Sequence, residues 1–253
     1  MDIKIIVATH KLYRMPEDGI YVPVQAGAAL KEPLPYRHDN DGENISEKNQ
    51  NYCELTALYW AWKNLEAEYI GLCHYRRHFK GHSGNDKWEQ IMTGTDAEKL
   101  FKKAPVILPK KRNYYIETNY SQYVHAHHSE DLDTTRQILS EKYPEYVAAY
   151  DSSMKQTSGH RFNMMVMHRD LFDAYCTWLF DVLFELEARL DISDYSDYDA
   201  RVFGFVSERL LDIWLETGKI NYVEVPVVNM EDQHWMKKGS AFLKRKLTGG
   251  KNE

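Results

Sequence analysis

The sequence predicts an α/β protein in which an open sheet of buried strands is flanked by helices. Three short apolar runs, at residues 3–8, 69–73 and 105–109, have the length and composition of buried strands. Segments with apolar residues at helical spacing lie between and after these runs. The 253 residues, of which 43% are hydrophobic, suffice to bury such a core. We expect one domain over residues 1–230 and a basic, apolar tail over residues 231–253.

The first strand, at residues 3–8, ends in the polar residues Thr9, His10 and Lys11. Ligands of open α/β sheets bind at strand ends, so we expect a nucleotide beside these three side chains. A second, weaker strand is predicted at residues 21–24, and a loop containing two prolines follows it.

This loop, from residue 31 to residue 44, is long enough to be functional or mobile. Its segment 39–44 resembles half of a calcium loop, but the later ligands are missing, so we reject a calcium site. Ser46 is predicted to cap the helix that follows. The buried face of that helix is marked by Leu55, Leu58, Tyr59, Trp62 and Leu65.

The stretch 69–79 joins a buried strand directly to a cluster of basic side chains. If the chain stays extended there, His74 and Arg76 project to one face, and Tyr75 and Arg77 project to the other. Adjacent arginines are stabilised by an anion between them, because each charge-assisted hydrogen bond contributes roughly 1.5–3 kcal/mol. A phosphate or carboxylate ligand would supply that anion. The alternative is that the arginines pair with protein carboxylates or point into water.

Further along, a capping box at residues 95–98 predicts a helix, and two prolines bracket the strand at 105–109. The basic run 110–112 then forms either a second anion contact or a solvated loop. The histidine segment 125–128 lacks the spacing of zinc ligands. Catalytic or acceptor-contacting histidines are therefore favoured there over a metal site.

In the second half, a short strand is predicted at residues 161–167, and the polar Asn163 within it requires a hydrogen-bond partner. Arg201 and Glu208 are seven residues apart on a later helix and therefore share a face. Glu208 has apolar neighbours, which suits a general base, although a salt-bridged or solvated carboxylate is the ordinary alternative. The remaining elements are helices at 171–190 and 200–215 and a last strand at 222–228.

Composition excludes several classes of protein. The formal charge of −6 argues against binding to duplex nucleic acid. The three cysteines have no metal or disulfide spacing, which predicts reduced thiols in a cytoplasmic protein. No apolar run approaches the roughly 20 residues that span a bilayer, and the N-terminus does not resemble a signal peptide. The basic, apolar tail is expected either to contact an anionic membrane surface or to be a solubilising segment.

Several segments resemble a bacterial family known as a domain of unknown function, DUF4422. The resemblance includes the runs Asp-Gly-Glu-Asn-Ile-Ser, His-Tyr-Arg-Arg-His-Phe and Ser-Glu-Arg-Leu-Leu, and it is carried by residues 41–49, 52–64, 69–79, 163–167 and 201–211. The family includes capsule and O-antigen glycosyltransferases, among them galactofuranosyltransferases. The resemblance implies a GT-A-like, Rossmann-like fold with a mostly parallel sheet. It also implies a nucleotide-sugar donor, such as a UDP-sugar, and a lipid-linked glycan acceptor at the inner face of the cell membrane.

This resemblance also implies a mechanism. GT-A enzymes usually carry Asp-x-Asp, whose metal ion bridges to the leaving diphosphate, but here the strand ends in His74, Arg76 and Arg77 instead. We expect these cationic groups to neutralise the diphosphate without a metal or another cofactor. The predicted general base is Glu208, with Asp199 and His127 as alternatives. The predicted donor-binding residues are Thr9, His10, Lys11, Asp41, Asn44, Ser46, Asn49, His74, Arg76, Arg77, Asn163 and Arg201.

Two other functional classes fit the residues. A phosphate-ester hydrolase would also gather histidine and arginine at strand ends, but it would release phosphate without a sugar acceptor. A non-catalytic carbohydrate-binding protein of a polysaccharide cluster would use the many aromatic residues, and it would not need the arginines or Glu208.

Overall fold

The computed structural model describes residues 1–231. The strands of this part are β1 (Ile3–Thr9), β2 (Tyr21–Gln25), β3 (Arg37–His38), β4 (Tyr69–His74), β5 (Arg77–Phe79), β6 (Val106–Pro109), β7 (Arg112–Asn113), β8 (Ser158–Gly159), β9 (Met165–His168), β10 (Val223–Val225) and β11 (Val227–Asn229). The helices are α1 (Asn49–Tyr52), α2 (Leu55–Asn64), α3 (Gly94–Phe101), α4 (Asn119–Val124), α5 (Ser129–Lys142), α6 (Val147–Lys155), α7 (Arg169–Arg189) and α8 (Val202–Thr217).

The main sheet has the strand order β10-β6-β9-β4-β1-β2-β3. Neighbouring strands in it run parallel, except that β9 is antiparallel to both β4 and β6. The predicted α/β architecture, a mostly parallel sheet flanked by helices, is confirmed. Among residues 1–231, no helix combines the length and the apolar character needed to cross a bilayer.

The apolar run of β1 is continuous because both of its faces are covered. Ile6 and Ala8 pack into the larger core, which α2, α5, α6, α7 and α8 share. Ile5 and Val7 point to the opposite face and pack into a smaller core with α3. This two-sided burial fixes the ends of β1 and β4 relative to the surrounding helices.

Gly71 in β4 marks a close approach to β9. A Cβ atom at this position would lie 2.5 Å from the carbonyl oxygen of Met165. We expect Gly71→Ala to lower the free energy of unfolding by about 3 kcal/mol, the upper end for an overpacked core, because the obstacle is backbone. Gly19→Ala is the matched control, since nothing lies within 4 Å of its added carbon. Equal denaturation midpoints for the two variants would contradict this account of β4.

In contrast to the extended chain considered above, the chain does not stay extended after β4. It turns at Tyr75 and Arg76, and β5 returns antiparallel to β4, with Arg77 opposite His74. β5 then pairs with β11 from the far end of the chain. The side-chain alternation predicted for an extended segment is therefore wrong, since a turn separates His74 from Arg77.

Two other predicted strands differ from the structure, one in where it begins and one in being divided. The strand expected at residues 161–167 begins only at Met165, because Phe162 and Asn163 have φ values of 75° and 52° in the left-handed region. The last strand divides at Pro226 into β10, which pairs with β6, and β11, which pairs with β5. The cap of α3 is also shifted, since Thr93 and Asp96 form its capping box.

Candidate functional site

A cavity of about 450 Å³ opens where β1 and β4 end side by side. Six of the predicted donor-binding residues line it, namely Thr9, His10, Asn49, His74, Arg76 and Arg201. Five other lining residues with polar or ionisable side chains were not predicted to bind the donor, namely Lys31, Gln50, Cys53, Glu54 and Tyr75. We call this space the β1–β4 cavity.

The topology explains why these residues meet. Ala8 of β1 is in register with His74 of β4, so two parallel strands deliver their carboxyl ends to one edge. The turn after β4 brings Arg76 to the same opening. His74 donates a hydrogen bond from Nε2 to the carbonyl oxygen of Phe162, which fixes its ring at the cavity wall.

The pKa of His10 depends on the positive charges in and beside the β1–β4 cavity. Burial is the first cause that lowers the pKa of its imidazole. The further causes are the positive charges of Lys31, Lys11, Arg76 and Arg201, in that order. Four cationic side chains therefore act on one ring at the surface, and three of them, Lys31, Arg76 and Arg201, line the cavity, which makes it a site for an anion.

Neighbouring carboxylates neutralise these cations only weakly. Arg76 and Lys11 each pair with Glu231, at 3.6 and 3.4 Å, but both pairs are nearly half exposed and so contribute little. Arg201 donates from Nε to the Sγ atom of Cys53 at 3.2 Å. Burial raises the pKa of Cys53 to about 11, so this partner is a neutral thiol at neutral pH, and the negative charge that acts on Arg201 is that of Glu54, which also lines the cavity.

Lys31 is held more firmly than the other cations. Its ammonium donates to Asn49 Oδ1 at 2.8 Å and to the carbonyl oxygen of Ala26 at 3.1 Å. Asn49 in turn donates to the carbonyl oxygen of Cys53 at 2.7 Å. Both side chains are thus positioned in the cavity wall by neutral partners, and Lys31 keeps its charge for a ligand.

A second group of polar side chains lies beside the cavity, around the left-handed residues Phe162 and Asn163. Glu208 Oε1 accepts a hydrogen bond from the backbone N–H of Phe162 at 3.1 Å. Asn163 donates to Glu54 Oε1 at 2.7 Å and accepts from the hydroxyl of Ser207 at 2.6 Å. Protein groups therefore supply the partner that Asn163 requires. Backbone strain of this kind is concentrated at functional sites.

Arg77 does not line the β1–β4 cavity. Its guanidinium lies 4.5 Å from the ring centre of Phe162, and its Nε atom is buried with no hydrogen-bond partner among residues 1–231. Burial, followed by the charge of Arg76, lowers the pKa of Arg77, while Glu208 and Glu54 oppose this shift. The two adjacent arginines therefore lie in different surroundings: Arg76 lines the cavity, and Arg77 packs on the ring of Phe162.

His127 and Asp199 form a hydrogen-bonded pair, with 3.0 Å between Nδ1 and Oδ1. The ring of His127 stacks on Phe205 at 4.4 Å and on Tyr198 at 5.5 Å. Arg201 lies 5.2 and 5.8 Å from the centres of the same two rings, so these aromatics connect the pair to the cavity edge. Burial lowers the pKa of His127.

Asp199 remains a carboxylate in this pair. Burial acts to raise its pKa, but hydrogen bonds from Ser196 and His127 outweigh burial, and the net pKa of Asp199 is lowered. The structure thus brings two predicted catalytic residues together, and the third, Glu208, lies apart from them beside Phe162.

Six predicted donor-binding residues do not line the cavity, namely Arg77 and Asn163, described above, and Lys11, Asp41, Asn44 and Ser46. Lys11 lies next to it, over the ring of Tyr75 at 5.0 Å. Asp41 is exposed, and Asn44 bonds within its own loop to the carbonyl oxygens of Asn40 and Gly42. Ser46 is buried, and its hydroxyl donates to Asp39 and accepts from the N–H of Ala29. It therefore fixes a loop and does not cap the helix that follows.

Residues 1–231 contain no group of three or more histidine, cysteine, aspartate or glutamate residues that could hold a metal ion. Asp39, from the rejected calcium loop, accepts hydrogen bonds from the N–H groups of Gly27 and Ala28. At the position where an Asp-x-Asp motif would end the strand, the side chains are neutral or cationic and do not fit a divalent metal.

Residues 4–219 match the family described as a domain of unknown function, DUF4422. Among solved structures, the chain is similar to the apo structure of WbbM, a bifunctional glycosyltransferase, with a TM-score of 0.86 and 29% sequence identity over 92% of this chain. The match covers 46% of the WbbM chain, so this chain spans less than half of that protein. No curated protein matches the sequence. The structural likeness agrees with the predicted GT-A-like architecture.

Proposed function

The chain belongs to the DUF4422 family, and from this premise and its site we propose that it is a glycosyltransferase. In this proposal it moves a sugar, such as galactofuranose, from a UDP-sugar to a hydroxyl of a lipid-linked or polysaccharide acceptor. The observation that carries the proposal is that Lys31, Arg76 and Arg201 line the β1–β4 cavity together, with Lys11 beside it. A leaving nucleoside diphosphate is an anion that such a cavity accommodates.

Stabilisation by nucleoside diphosphates tests the donor half of this proposal. A ligand present at a hundred times its dissociation constant adds about 2.7 kcal/mol to the free energy of unfolding. We expect UDP to raise the melting temperature more than CDP or GDP does, and uridine alone to have little effect. A chain that none of the three diphosphates stabilises would refute the proposed donor site.

The diphosphate is held by Arg76, Lys31 and Arg201 in the proposed complex. Their positive charges stabilise the negative charge that develops on the leaving oxygen, which is the task that a metal ion performs in many such enzymes. We therefore propose transfer without a divalent metal. Full activity in excess EDTA is the expected result. Activity that EDTA abolishes, and that manganese or magnesium restores, would contradict it.

Glu208 is the proposed general base. It removes the proton from the acceptor hydroxyl, the hydroxyl oxygen bonds to the anomeric carbon, and the bond from that carbon to the phosphate oxygen breaks. The electron pair leaves with the nucleoside diphosphate, and the configuration at the anomeric carbon inverts. The Glu208 side chain is 23% exposed, its Oε1 atom is aimed by the N–H of Phe162, and its Oε2 atom lies 3.3 Å from Nη1 of Arg209. The His127–Asp199 pair is the alternative base.

The affinity for UDP is expected to depend on pH through His10. In the free protein, burial and the surrounding cations lower the pKa of His10. A bound diphosphate counteracts these cations and raises that pKa, so the complex takes up a proton. Affinity should therefore be greatest below the pKa of free His10 and should fall as the pH rises through the pKa in the complex.

Calorimetric titration of UDP at several pH values, with the wild type and His10→Gln, measures this dependence. The phosphate of UDP titrates in both proteins, so the difference between their profiles isolates His10. Identical profiles would show that His10 does not sense the bound anion.

A further inference from the structure

A second cavity, of about 400 Å³, lies beside the C-terminal half of α8. We call it the α8 cavity. Its polar wall is formed by Lys111, Ser153, Gln156, Asp212, Glu216, Lys219, Asn221 and Tyr222. None of these residues belongs to the β1–β4 cavity.

The helix α8 places Glu208 between the two cavities. Arg201, which lines the β1–β4 cavity, directly precedes α8, whereas Asp212 lines the α8 cavity. Residues at spacings of seven and four share a helix face, and a rise of 1.5 Å per residue puts Glu208 about 10 Å from Arg201 and about 6 Å from Asp212. The buried Arg161 side chain bridges these two positions, since its Nη1 atom donates to the backbone carbonyl oxygen of Glu208 at 3.0 Å and lies 3.8 Å from Asp212 Oδ2.

The floor of the α8 cavity is a built polar structure. The side chain of His160 is fully buried, and its Nδ1 atom contacts Asp212. Its Nε2 atom lies 2.8 Å from Glu224 Oε1, on β10. The backbone N–H of His160 also donates to Asp212 Oδ2 at 2.9 Å. His160 therefore holds Asp212 at the cavity wall through two contacts, and Glu224 on β10 fixes the other side of the His160 ring.

The charges of the wall balance. Lys111 and Lys219 supply two positive charges, and Asp212 and Glu216 supply two negative charges. This balance favours a neutral ligand over an anion, in contrast to the β1–β4 cavity. The ring of Tyr222 is 38% exposed, which leaves an aromatic surface for a flat apolar face. The mixture of aromatic surface, amide and carboxylate groups suits a ligand that carries many hydroxyls.

We propose that the α8 cavity binds a saccharide unit of the acceptor glycan. This inference rests on the proposed function, and it places one sugar unit of the acceptor about 6 Å along α8 from Glu208, which itself lines neither cavity. The sugar ring packs on Tyr222, its hydroxyls donate to Asp212 and Glu216, and Asn221 donates to a hydroxyl oxygen. The donor then occupies one side of Glu208 and the acceptor the other, as a transfer between two sugars requires.

Saturation-transfer NMR on the whole protein, with lactose, maltose and cellobiose as probes, tests this site. We expect at least one disaccharide to bind, and Tyr222→Ala and Asn221→Ala each to weaken that binding about tenfold or more. Tyr115→Ala is the control, because Tyr115 is 82% exposed and does not line either cavity. Failure of all three sugars to bind, or equal binding by Tyr222→Ala and the wild type, would overturn the proposal.

A parallel titration with UDP separates this inference from the proposed function. Tyr222→Ala should bind UDP as the wild type does, and Arg76→Ala should bind UDP about 10- to 100-fold more weakly while keeping the disaccharide. Disaccharide binding without any UDP binding would refute the transferase and leave the α8 cavity as a saccharide site. UDP binding that Tyr222→Ala weakens instead would show that the α8 cavity takes an anion, and the acceptor proposal would be wrong.

Discussion

Replacing Glu208 by glutamine is expected to reduce the turnover number for sugar transfer by about 10²- to 10⁴-fold, the usual contribution of a general base. The glutamine amide cannot take the proton from an acceptor hydroxyl. Its carbonyl oxygen can still accept the hydrogen bond from the N–H of Phe162, so the left-handed turn at Phe162 and Asn163 should persist. Initial rates at saturating donor and acceptor, with melting temperatures measured in parallel, test this expectation.

The alternative base provides the comparison. Asp199→Asn weakens the orientation of His127 but leaves Glu208 untouched, so its turnover should fall far less than that of Glu208→Gln. The reverse order, with Glu208→Gln active and both Asp199→Asn and His127→Gln inactive, would transfer the role of base to the His127–Asp199 pair.

Removal of either cavity arginine is expected to weaken UDP binding by about 10- to 100-fold. A charge-assisted hydrogen bond contributes roughly 1.5–3 kcal/mol, and 1.4 kcal/mol corresponds to a tenfold change in the dissociation constant. Arg76→Ala and Arg201→Ala should both show this loss in calorimetry. Arg201 should be the more sensitive position, because its partner in the free protein is the neutral thiol of Cys53 and not a carboxylate.

Arg136→Ala is the control for both arginine variants. Arg136 forms a surface ion pair with Asp151 on α6 and lies outside both cavities, so its loss should leave UDP affinity unchanged. The lysine variants add a geometric test, since lysine keeps the charge but loses the planar fork of arginine. Alanine variants of Arg76 and Arg201 that bind UDP like the wild type would remove the basis for a metal-free diphosphate site.

The ends of β1 and β4 could be predicted from the sequence because a strand that is buried on both faces appears as a continuous run of apolar residues. The apolar runs of β1 and β4 stop where polar side chains begin, and those side chains do meet at one sheet edge. His10, His74 and Arg76 were predicted as site residues because they follow these apolar runs. Arg201 was found through its helical spacing from Glu208 and through the family resemblance.

The remaining parts of the site depend on contacts that local patterns do not encode. Lys31 enters the cavity from a loop, and its position depends on Asn49 and Ala26. The left-handed turn at Phe162 and Asn163 has no glycine to mark it, since non-glycine residues seldom adopt that conformation. The α8 cavity is lined by residues from three distant segments of the chain. His160, which contacts Asp212 in its wall, follows a predicted turn, and nothing in the sequence distinguishes it from an ordinary turn residue.

The pairing of β11 with β5 has a consequence for shortened forms of the protein. Residues 227–229 form the outer neighbour of β5, the N–H of Met230 donates to the carbonyl oxygen of Arg76, and Glu231 reaches the side chain of Arg76. A truncation before Val227 would remove no wall residue of either cavity. It would, however, remove β11, which pairs with β5, and the hydrogen bond from Met230 to the backbone of Arg76. Deletion variants made to define a minimal catalytic unit should therefore retain the sequence through Glu231.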